Sequence, residues 1–141
     1  MAKLHSLIKF KRHELDEKRE ILARLNDELE GLRNRKQRLL DELAREKNLA
    51  AVDIETARSF GPYLNKTLAR VAAFDEEIHA KYLEVQAATH VVQDAYLEVK
   101  KLEITQEKRD EEENTRIKKI EASTLDEIGV ETYRRGREER V

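Results

Sequence analysis

Residues 15–43, LDEKREILARLNDELEGLRNRKQRLLDEL, place Leu15, Leu22, Leu29 and Leu43 at steps of seven, with Lys36 the one polar interruption. The same series starts one step earlier at Ile8 and ends at Ala50, and Leu25, Leu32 and Leu39 stand three places further along it. A helix turns once per 3.6 residues, so slight supercoiling keeps a seven-residue repeat facing one partner, and this stretch reads as the a/d seam of a coiled coil. The pattern recurs in the second half: Leu64, Val71, Ile78, Val85, Val92 and Val99 at steps of seven, with Phe74, Ala88, Ala95 and Leu102 three places later. Tyr82 and Tyr96 flank this second stripe.

Between the seams lies the strongest helix breaker in the chain, Ser59-Phe60-Gly61-Pro62-Tyr63. Gly61 suits a helix end and Pro62 the first turn of a new helix, where its missing N–H leaves no bond unmade. These signals predict an all-α fold, a long antiparallel two-helix coiled-coil hairpin with a C-terminal helical overhang, occupying residues 1–141 as a single unit. Helix one is expected over about 3–55, the tip over about 52–62, helix two over about 62–122 and a tail over 123–141. A continuous helix dimerising with another chain is the alternative, disfavoured by Gly61-Pro62 at its centre.

Composition agrees. Ala, Glu, Lys, Leu and Arg supply 81 of the 141 residues, whereas aromatic residues are 5% and Pro occurs once. Long helices have that bias, and an all-β or α/β chain would need more β-branched and turn residues. No apolar run reaches the ~18 residues of a membrane span, the first residues lack a signal peptide's apolar stretch, and the absence of Cys excludes disulfides and thiolate chemistry. A cytoplasmic chain that does not insert into the membrane is expected.

Net charge is −2, and no segment is strongly basic, so nucleic acid is not an expected partner. The cluster Arg33, Arg35, Lys36 and Arg38 reads as a solvated helix face. Folding at the tip is expected to bring Lys9, Lys11, Arg12, Lys18 and Arg19 opposite Glu103, Glu107, Asp110, Glu111, Glu112 and Glu113. Residues 105–116 carry no aliphatic side chain, after which Ile117, Ile120, Leu125 and Ile128 restore a partial stripe that the shorter first helix cannot cover. Thr124-Leu125-Asp126-Glu127 fits a capping box and suggests a break near Ser123. An uncovered stripe reads as a docking segment.

Catalysis has no foothold: a two-helix hairpin offers no pocket, and none of Gly31, Gly61, Gly129 or Gly136 begins a phosphate-binding loop. Glu76-Glu77-Ile78-His79 contains the Glu-x-x-His spacing of di-iron bundles, but those sites need it twice plus two facing glutamates. No catalytic, cofactor-binding or metal residue is assigned, and no enzyme is expected.

The opening Leu4-His5-Ser6-Leu7-Ile8-Lys9-Phe10-Lys11-Arg12-His13-Glu14-Leu15-Asp16-Glu17-Lys18-Arg19 resembles the start of the flagellar FliJ family, as does Lys100-Lys101-Leu102-Glu103-Ile104. The ending Leu125-Asp126-Glu127-Ile128-Gly129-Val130-Glu131-Thr132-Tyr133-Arg134-Arg135 resembles that family's C-terminal segment. The resemblance implies a component of the flagellar type III protein export apparatus. Its antiparallel coiled coil would be similar to the rotor stalk of rotary ATPases, enter the hexameric export ATPase ring, promote its assembly and link it to the membrane export gate protein. Some members of the family are also described as escorts of export chaperones. On this reading Ile117, Ile120, Leu125, Ile128, Tyr133, Arg134 and Arg135 lie in or near the ring, and Phe60, Tyr63, Phe74 and Tyr82 are candidates for the gate-facing surface. The competing expectation is a coiled-coil scaffold or holdase chaperone unrelated to secretion.

Overall fold

A computed structural model describes residues 2–139, with side chains described from residue 4 onward. Met1, Arg140 and Val141, which the expected hairpin and tail include, lie outside the described residues. Two helices account for the chain: α1, Ala2–Ala50, and α2, Ile54–Glu139, with no strand among the described residues. The chain divides into two compact units, residues 12–97 and the two end segments, residues 1–11 with 98–141.

Within residues 12–97 the helices run antiparallel. Leu15, Leu29 and Leu39 of α1 and Thr67 of α2 are buried. The other heptad positions, Leu22, Leu25, Leu32 and Leu43 against Val71, Phe74, Ile78, Val85, Ala88, Val92 and Ala95, are half-buried. Each fully buried aliphatic side chain of this kind stabilises the fold by about 1.5–3 kcal/mol. Two lysines interrupt the apolar seam, and each reaches across it: Lys36 to Asp75, and Lys81 to Glu28 at 2.8 Å. Advancing from 28 to 36 on α1 retreats from 81 to 75 on α2, which is the signature of antiparallel register. A polar residue at a seam position favours the one alignment that gives it a partner.

The reversal occupies Ala51–Asp53, at the leading edge of the expected tip and ahead of Gly61-Pro62. Three bonds tighten the end of α1: Ala51 N–H to the Lys47 carbonyl at 3.3 Å, and Val52 and Asp53 N–H to the Leu49 carbonyl at 3.1 and 3.0 Å. Asp53 then caps α2. Its carbonyl accepts the Ala57 N–H at 3.0 Å, while its carboxylate accepts the Glu55 N–H at 3.3 Å and the Thr56 hydroxyl at 2.7 Å. An Asp at this position satisfies donors that the first turn otherwise leaves open.

Gly61 and Pro62 therefore lie inside α2, and no described glycine has positive φ. Pro62 removes the N–H that the Arg58 carbonyl would accept, but both residues are exposed, so water can reach that carbonyl. The expected break near Ser123 is likewise absent. The Thr124 hydroxyl donates back to the Ile120 carbonyl at 2.9 Å, a mid-helix bond rather than a cap, and α2 continues to Glu139.

In the second unit, Ile8 and Val99 are buried, and Leu4, Leu102 and Gln106 are half-buried. Lys11 pairs with Glu98 at 3.3 Å. For Lys11 this pair differs from the expected charge register, which sets it opposite the run from Glu103 to Glu113. Within that run Asp110 accepts from Gln106 at 2.8 Å and Glu113 from Arg116, both on the same helix. From Asn114 to Glu139 every residue is exposed.

Candidate docking surfaces

The uncovered part of α2 begins where Arg116 grips Glu113, Nε to Oε2 at 3.1 Å and a terminal guanidinium nitrogen to Oε1 at 2.6 Å. This fork holds the Glu113 carboxyl below the usual carboxylate range and raises the Arg116 guanidinium, each through its hydrogen bond to the other. Beyond it, Ile117, Ile120, Leu125, Ile128, Val130 and Tyr133 are all large exposed apolar residues. At 3.6 residues per turn, Ile117, Ile128 and Arg135 line one face, with Ile120 and Leu125 on its two flanks. Tyr133 falls on the opposite side of the helix. Arg134 and Arg135 both line a shallow open groove with Asp126, Glu127, Val130 and Glu131, which Tyr133 does not enter. The seven residues expected to dock at this end are thus all accessible, but they are divided between faces.

The four aromatic candidates belong to the other unit and do not converge. Phe60 and Tyr63 are half-buried neighbours, with ring centroids 6.3 Å apart and planes tilted by 41°. Phe74 occupies a half-buried seam position, where it lines a small open groove with Leu39, Arg35 and Arg70, so packing accounts for it. Tyr82 is exposed on the flank, its hydroxyl accepting a 2.8 Å bond from Gln86 Nε2.

Leu49, Val52 and Ile54 present apolar side chains at the reversal, Val52 at 83% and Ile54 at 73% exposure. The sequence reading places the tip over about 52–62 but chooses its docking candidates there by aromatic character, Phe60 and Tyr63, and so passes over these three aliphatic residues. The available signal was Asp53 followed by Glu55 and Thr56, a capping pattern next to the last residues of the first seam. Leu68, Leu83, Val91 and Leu97 of α2 are exposed as well. By heptad position Leu83 and Leu97 lie on the side away from the seam, whereas Leu68 and Val91 flank it on either side.

Among the described residues no group of three or more His, Cys, Asp or Glu side chains is placed to hold a metal, and Glu76 and His79 are both exposed. The Lys81–Glu28 pair lowers the Glu28 carboxyl and raises the Lys81 ammonium, mainly through their mutual hydrogen bond. Both shifts favour the charged forms, which suits a structural clamp rather than proton transfer. What this arrangement offers among the described residues is exposed aliphatic surface, not a site with the groups for catalysis. No curated protein and no solved structure matches the chain. The family described as "Flagellar FliJ protein" matches residues 1–138.

Proposed function

The chain belongs to the flagellar FliJ family and is thereby a component of the flagellar protein export apparatus, and from that premise we propose that it serves as a non-catalytic stalk for the export ATPase. In this reading the C-terminal part of α2 enters the hexameric ATPase ring and promotes its assembly. The reversal end, with Leu49, Val52, Ile54 and the Phe60–Tyr63 pair, faces the membrane export gate protein. Escort of export chaperones is a further role of the same surfaces. The protein works on the cytoplasmic side, at the periphery of the membrane apparatus; no helix among the described residues is long and apolar enough to cross a membrane.

The observation that carries this reading is the exposed stripe Ile117, Ile120, Leu125 and Ile128 on a helix that its own unit leaves bare. A protein-docking role accounts for four aliphatic side chains kept in water. Adding the full chain to the cognate ATPase should raise both its hydrolysis rate and its hexamer fraction. Ile117→Asp with Ile128→Asp should remove both effects while the circular dichroism of the chain persists. A wild-type chain that changes neither rate nor assembly overturns the proposal.

A further inference from the structure

The bare face of α2 reads alike in both directions about the midpoint between Ala122 and Ser123. Ile117 and Ile128 stand equally far from that midpoint, as do Ile120 and Leu125, and further out Asp110 and Arg135. Asp110, Ile117, Ile128 and Arg135 share one side of the helix. Both ends carry mixed charge: Glu107, Asp110, Glu111, Glu112 and Glu113 stand with Lys108, Arg109 and Arg116 before the stripe, and Arg134, Arg135 and Arg137 with Glu131, Glu138 and Glu139 after it.

We propose that this face is covered by the same face of a second copy running antiparallel, giving a tail-to-tail dimer of the free protein. The two-fold relation sets Ile117 of each copy against Ile128 of the other and Asp110 against Arg135. It also sets Glu111 against Arg134, Lys118 against Glu127 and Lys119 against Asp126, which with Asp110–Arg135 makes four unlike pairs, against the two like pairs Glu107–Glu138 and Lys108–Arg137. Parallel pairing would set acid on acid and base on base, which is unfavourable. The present partners leave both end charges available, because Asp110 is held by Gln106 and Arg135 by Glu131 in exposed contacts along the same helix. Such exposed pairs contribute little and exchange readily.

Contact from residue 110 to 135 extends for about 39 Å at 1.5 Å per residue. One helix face of that length lies at the small end of specific interfaces, so association is weak and concentration-dependent. The dimer does not depend on the ATPase reading, since it concerns the chain alone. Where both hold, dimerisation and docking in the ring compete for Ile117 and Ile128.

Sedimentation equilibrium of the full chain across a wide concentration range should fit a monomer–dimer equilibrium. Asp110→Arg or Arg135→Asp alone should weaken it by roughly ten-fold or more through like-charge contact, and the two together should restore it. The chain has no native Cys, so disulfide trapping is clean. Ile117→Cys chains mixed with Ile128→Cys chains should cross-link, and Ile117→Cys chains alone should not. The proposal is overturned by a monomer at every concentration, by Ile117→Cys cross-linking to itself, or by a charge-swapped double variant as weak as the single ones. Dimers that persist in the Ile117→Asp/Ile128→Asp variant overturn it as well.

Discussion

Replacing Leu29 by Ala tests the seam at its centre. Leu29 is 5% exposed, a heptad position within residues 12–97. Truncating a buried leucine costs about 2–5 kcal/mol, the spread reflecting how far the surroundings relax and how much cavity remains. Two helices enclose a seam from two sides only, so water or neighbouring side chains can fill the gap and the cost belongs at the low end, about 2–3 kcal/mol. For a cooperative unit of about 60–100 residues, that corresponds to a fall of roughly 10–20 °C in the thermal midpoint. The control is Leu83→Ala, at 51% exposure on the side of α2 away from α1. It makes the same chemical change with the same effect on helix propensity, and should stay within about 0.5 kcal/mol of the parent. Thermal melts followed by circular dichroism at matched concentration compare the two. If Leu29→Ala and Leu83→Ala melt together, the heptad rows do not form the interface and the packing described above is wrong.

The reversal and the seam charges give further tests. Asp53→Ala should lower stability by about 1 kcal/mol through loss of the cap, whereas Pro62→Ala should raise it by up to about 3 kcal/mol by restoring an N–H inside α2. A destabilised Pro62→Ala chain would show that the helix does not continue through residue 62. Glu28 titrates below its usual range in the folded chain, so its contribution is present above the ordinary carboxylate range and is lost as pH falls through the depressed value. Lys81 titrates above its usual range, so its contribution is present below the ordinary lysine range and is lost as pH rises through the raised value. Lys81→Met should flatten both limbs of a plot of thermal midpoint against pH. Unchanged limbs would mean that the Lys81–Glu28 contact is not formed in solution.

The helices and their inward faces were legible in the amino-acid order because a seven-residue apolar repeat can be buried along only one line of a helix. Every seam position from Leu15 to Leu43 is buried or half-buried, and the uncovered stripe beginning at Ile117 was visible as apolar residues returning after a polar segment. Pairing was another matter. A heptad row specifies a face but repeats identically each two turns, so shifting one helix by seven residues leaves the pattern intact. The alignment was decided by contacts between residues far apart in the chain: Lys36 with Asp75, Lys81 with Glu28, and Lys11 with Glu98.

Those same contacts bring the reversal to Ala51–Asp53. Local preference favoured Gly61-Pro62 because glycine and proline punctuate isolated chains strongly, but continuous packing outweighs a helix-interior proline whose unmatched carbonyl faces water. Thr124 shows the same competition at the other end, its hydroxyl turned to a helical carbonyl instead of capping a new start. The amino-acid order by itself thus determined that this protein is helical, which faces are apolar and which family it resembles. Only the tertiary structure decided where it turns, which residues face one another and which aliphatic side chains remain uncovered, because periodicity constrains direction around a helix whereas register depends on partners the chain meets only when folded.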